Sequence, residues 1–154
     1  MRYLIFAFVA FLIVLPASSQ DRALPFLDAA IESVISGGYW TNQDKAEGQF
    51  RVVVDTGGYE HLISSIWVQW IAQPKNSEDS AQIVMTKHLE EVDANYVRLS
   101  EPKLTLEGNR WILTVESTQT HCDPMPVKRW HVALGPPGQA IVIGSEVIKS
   151  GCDE

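Results

Sequence analysis

His88 and Glu90 lie two residues apart in a run of alternating character, which puts an imidazole and a carboxylate on one side of a strand. In a cleft, such a pair has the chemistry of a general base and acid. On an open sheet it is a solvated ion pair. His121-Cys122-Asp123 sets a second imidazole and carboxylate around a thiol. A reactive thiol there needs a neighbouring base and a lowered pKa, and His121 with Asp123 and His131 would offer a metal three ligands. Their spacing follows no established ligand pattern, and a disulfide at Cys122 would remove the thiol. The sequence contains no Gly-x-Ser-x-Gly elbow, phosphate loop, dinucleotide fingerprint or His-Glu-x-x-His pair. His88, Glu90, His121 and Asp123 are therefore catalytic candidates without a reaction to attach, and neither metal nor cofactor is expected.

Five tryptophans are many for 154 residues, and each combines a large apolar ring with an N–H that needs a partner when buried. Trp70, Trp111 and Trp130 share faces with aliphatic neighbours and are expected in the core. Trp67, beside Gln69 on the other face of its strand, and Trp40, in a glycine-rich entrance, are the expected ligand or partner contacts together with Gln69.

These residues must be positioned by a mainly β chain. Leu24, Leu27, Ile31 and Val34 recur at three- and four-residue steps and predict an amphipathic helix over Asp21 to Ser36, stopped by Gly37-Gly38. From Gln49 onward the period is two. Alternating runs predict eight strands, at 50–55, 62–72, 81–91, 95–99, 103–106, 110–118, 127–134 and 139–148. The connections are too short for parallel crossovers, so neighbours run antiparallel. A helix followed by an eight-strand meander predicts an α+β chain, mainly β: an up-and-down barrel or a strongly curled sheet with a helical plug.

The start of the chain carries an address. Arg2, the apolar run Tyr3 to Leu15, Pro16 and the small residues Ala17-Ser18-Ser19 predict a cleaved export signal over 1–19, leaving one β-rich domain over 20–154. The apolar run is shorter than the roughly 20 residues a membrane-spanning helix needs. After cleavage no membrane attachment is expected, and the place of work is periplasmic or extracellular. In that compartment Cys122 and Cys152 predict one disulfide. Twelve basic against nineteen acidic residues give a net charge of -7, which disfavours nucleic acid and anionic lipid as partners.

Gly38-Tyr39-Trp40-Thr41-Asn42-Gln43 and Trp67-Val68-Gln69-Trp70, set in such a meander, resemble the calycin-type proteins. Among them the chain is most similar to the chromophore lyases of the CpcT and CpeT kind, and Gly38 with Trp40 also resembles the glycine-x-tryptophan of lipocalins. The resemblance implies a calycin-like barrel. Ala81 to Met85 contains no arginine, where that lyase family has an arginine-rich strand, so the implication concerns the fold and not the lyase activity.

Three classes of function follow. One is an exported protein holding a small apolar ligand inside the barrel. The second is a protein–protein interaction module, an inhibitor or immunity-type partner of a basic exported protein. The third is a hydrolase-like enzyme, which requires at least two of the four catalytic candidates to meet in a cleft. A hollow interior favours the first class and a filled one the second.

Overall fold

The computed structural model describes residues 30–41, 47–56, 63–76, 78–94, 97–121 and 123–151. The export signal, residues 21–29 of the predicted helix, and both cysteines lie outside them.

Nine strands account for most of the described chain. Strands β1 (Ile31–Thr41), β2 (Glu47–Asp55), β3 (Ser65–Ala72) and β4 (Gln82–His88) form one antiparallel sheet in that order. The second sheet contains β5 (Val97–Leu99), β6 (Lys103–Glu107), β7 (Arg110–Gln119), β8 (Val127–Leu134) and β9 (Ala140–Lys149). Its order is β5-β7-β8-β9, with β6 pairing further along the same β7. Val97 to Leu99 pairs with Gln119 to Ser117, and Lys103 to Glu107 pairs with Thr114 to Arg110. The interruption falls at Pro102, which has no N–H to give to the ladder.

Strands β2 to β9 match the eight predicted runs, and β1 is a correction. Ile31 to Ser36, assigned to the helix from its apolar spacing, is strand. It pairs with β2 through Ile35 against Val52 and Val34 against Val53. Ile31, Val34 and Ile35 are β-branched, which favours a pleated surface over a helical one. The glycines taken as the helix stop sit inside the strand. The register shifts between Gly37 and Trp40, and Gly38 has φ 65°, a left-handed angle that glycine adopts at little cost within a bulge.

The closed barrel is the second correction. Among the described residues β4 pairs only with β3 and β9 only with β8, so neither sheet closes. The two meanders instead bury their inner faces against each other. Phe50, Val52 and Val54 stand opposite Trp70, Val68 and Ile66 in the first sheet. Leu113 and Val115 stand opposite Val132 and Trp130 in the second. All of them join one apolar cluster, with Leu89 and Val92 from the β4–β5 connection and Val97 and Leu99 from β5. Ile66, Val68, Trp70 and Leu113 are 0% exposed, so no space the size of a water molecule remains beside them. Each aliphatic side chain buried to that degree contributes roughly 1.5 to 3 kcal/mol.

Candidate functional site

Two features of the surface gather side chains that could meet another molecule. The first lies on the outer face of the β1–β4 sheet. Trp67 of β3 and His88 of β4 are register partners, and their rings stack with centroids 4.3 Å apart and planes at 18°. Just beyond β4 the chain turns, and Leu89 N–H donates to the Ile66 carbonyl at 3.0 Å. That turn brings Asp93 back to the sheet. Its buried carboxylate accepts from the Ile66 N–H at 2.9 Å and meets His88 Nε2 at 2.7 Å. The exposed Glu90 carboxylate stands 3.7 Å from the other ring nitrogen, Nδ1. Imidazole orientation is therefore set from three sides, by an indole face and two carboxylates. Gln69 lies on the same outer face, between Arg51 of β2 and Thr86 of β4 in the register.

His88, Trp67 and Gln69 thus share one sheet face, whereas Glu90, expected on the same strand as His88, lies in the turn that follows β4 and reaches the imidazole from there. Asp93, the strongest partner of His88, escapes sequence reasoning. Its only local signal is the turn chemistry of Asp93-Ala94-Asn95. His121 and Asp123 lie on the connection between β7 and β8, in the other sheet, and each is engaged in an interaction there. Trp40 is core, 3% exposed and packed over Gly48, and its ring N–H has no hydrogen-bond partner among the described residues. Trp70 and Trp130 are also core; their ring N–H groups donate to the Gly135 carbonyl at 2.9 Å and to Ser117 Oγ at 2.8 Å. Trp111 is partly buried against that core. Among the described residues no group of three His, Cys, Asp or Glu side chains is arranged to hold a metal. Two surface pockets lie away from the imidazole. One, of about 450 Å³, is lined by Glu107, Asn109, Arg110, Ile112 and Ile143. The other, of about 290 Å³, lies between β1 and the β5–β6 break.

The second feature is a rim formed by β4 and β9, one edge of each sheet. Lys87 Nζ donates to the Ala140 carbonyl at 2.8 Å, and the Met85 methyl lies near Gly138, so the two edges adjoin. Along them Ile83, Val84, Met85, Ile141, Ile143, Val147 and Ile148 are all exposed. Beside β9, Arg129 is clamped between Glu116 at 2.6 Å and Glu146 at 2.7 Å. The hydrogen bonds that Arg129 donates to Glu116, and then the one to Glu146, raise the guanidinium pKa above its ordinary value. The cluster is left with one negative charge in excess.

In comparisons with protein-family models, curated proteins and solved structures, the chain matches none.

Proposed function

We propose that the protein is an exported interaction module, periplasmic or extracellular, that binds a basic protein partner on its surface in the manner of an inhibitor or immunity-type protein. The observation that carries this reading is the rim: seven large apolar side chains exposed on two adjoining sheet edges. A soluble domain leaves a concentration of this kind where another surface covers it. The filled interior adds support, because an apolar ligand held between the sheets needs a cavity that the core side chains already occupy. The acidic balance of the chain sets the sign of the partner. Export is supported by the Arg2 to Ser19 pattern.

Photo-crosslinking in the exported fraction of the native host tests the reading. A crosslinking residue at Ile83 or Ile141 is expected to capture one basic protein, and the same residue at exposed Leu106 is expected not to. Ile143→Lys should abolish the adduct. Equal capture at all three positions sinks the proposal, as does stoichiometric quenching of tryptophan fluorescence by a fatty acid, haem or bilin.

The same reading takes Cys122 and Cys152 as one disulfide. Gly151, next to Cys152, lies so close to the Pro124–Pro126 loop that a Cβ on it would meet the Pro126 nitrogen and the Pro124 carbonyl at 2.6 Å. Reduction is expected to lower stability by roughly 3 to 4 kcal/mol for a loop of this length. Denaturant titration with and without reductant measures it, and two thiols alkylated in the unreduced protein would refute the bridge.

A further inference from the structure

We infer that the hollow beside the β6–β7 hairpin binds a free α-amino acid with an apolar side chain. The site lies on the outer face of the second sheet, and the inference stands independently of the surface-binding reading above.

Strand alternation creates the hollow. Leu113 and Val115 of β7 face the core, so Arg110, Ile112 and Thr114 face outward. An outward position on a sheet is ordinarily wet, yet Ile112 is 3% exposed. In the register it stands between Thr105 of β6 and Ala133 of β8, and Ala133 in turn stands beside Ile141 of β9. Ile112 is thus the apolar floor of a depression of about 450 Å³, lined on the β9 side by Ile143 and on the hairpin side by Glu107, Asn109 and Arg110. That size falls within the range of small-molecule sites, about 300 to 1,000 Å³.

Charge selects the occupant. Glu107 and Arg110 are register partners flanking the turn Gly108-Asn109, in which Gly108 takes φ 59°. Opposite charges in that placement attract. Among the described residues, however, neither side chain has an ion-pair or hydrogen-bond partner, and neither has the Asn109 amide. Arg129 on the same outer face shows the contrary case, clamped between Glu116 and Glu146. The other ionisable side chains of this face, among them Lys103, His131 and the Arg129 cluster, do not line the hollow. An α-amino acid carries both missing partners on one carbon. Its carboxylate accepts a forked pair of hydrogen bonds from the Arg110 guanidinium, and its ammonium donates to the Glu107 carboxylate. Its apolar side chain then lies over Ile112 and Ile143, and the Asn109 amide serves either charged group. A simple anion brings its charge against Glu107 and a simple cation against Arg110, so the two unpaired groups together favour a zwitterion.

The test is an NMR titration of the full exported chain with L-leucine, 4-methylpentanoate, leucinamide and glycine. The last three lack in turn the ammonium, the carboxylate and the apolar side chain. Leucine is expected to shift the amides of Arg110, Ile112 and Ile143, and each analogue should bind at least about tenfold more weakly. Arg110→Gln and Glu107→Gln should each weaken leucine binding by about tenfold or more. Both side chains are exposed, so the melting temperature should stay in place. Absence of leucine-dependent shifts at millimolar concentration overturns the inference. So does an analogue that binds as well as leucine, a Gln variant that binds as well as the parent, or a set of shifts confined to other strands.

Discussion

Where the two sheets meet at β1 and β6, the seam is sealed by rings lying on glycine backbone. Near β4 and β9 the described residues are tied by a hydrogen bond from Trp70 of the neighbouring β3 and one from Lys87 of β4, and the side chains outside stay exposed. At the first seam Gly37 approaches Leu104, and Gly38 lies under Trp111, close enough that a Cβ would meet the ring and Phe50 at 2.9 Å. Tyr39 then packs edge-on against Trp111, with centroids 5.8 Å apart. At the second seam the ties are Trp70 to the Gly135 carbonyl and Lys87 to the Ala140 carbonyl. Both seams join unpaired strand edges. Ring-on-backbone packing removes apolar surface from water and makes one of them structural. Point contacts leave the apolar side chains of the other exposed.

The largest effect is expected from breaking the sealed seam. Gly38→Val puts a β-branched residue at φ 65° and drives a side chain into Trp111 and Phe50. Backbone strain and overpacking together predict a loss of about 3 to 5 kcal/mol, a large share of the stability of a domain this size. Denaturant titration reads it. A variant as stable as the parent would mean that the rings are not what holds β1 to the second sheet.

Trp70→Phe should cost less. The phenyl ring keeps most of the buried apolar volume, and the Gly135 carbonyl loses its donor at 2.9 Å. An unsatisfied carbonyl beside a buried ring predicts about 1 to 3 kcal/mol. Faster amide exchange should follow in the Gly135–Gln139 turn, where Gly135 N–H donates to the Gln139 carbonyl, and not in β1. Loosening at β1 instead would make the two seams one cooperative unit.

What was legible in the sequence divides along the same line. Alternation identified β2 to β9 because one face of each strand packs locally against its neighbours, whatever the closure of the sheet. It misjudged Ile31 to Ser36, whose apolar residues satisfy helical spacing and strand alternation at once. Pairing with β2, a non-local event, decides between them. Barrel closure was illegible for a similar reason. Ile141 and Val142 read much like Trp67 and Val68, yet β3 has neighbours on both sides and β9 on one. Trp67 with Gln69, and Thr86 with His88, were each legible as one face of a strand, but the pairing that puts Trp67 beside His88 was not, and Glu90 lies in the turn after β4. Asp93 was not legible either, since only the folded-back turn brings it 2.7 Å from His88.

The smallest effect is the sharpest control on the contrast. Gly144 lies in β9 between the two bulges, and a Cβ built there meets nothing within 4 Å. Gly144→Val is therefore expected to change stability by no more than about 0.5 kcal/mol, the range of surface substitutions away from special features, with β-propensity offsetting the loss of an exposed glycine. The same glycine-to-valine change would then span the full range of outcomes within one chain, severe at the sealed seam and silent at the open edge. A Gly144→Val variant that unfolds would show β9 to be covered from outside, and the open seam would lose its claim to a partner.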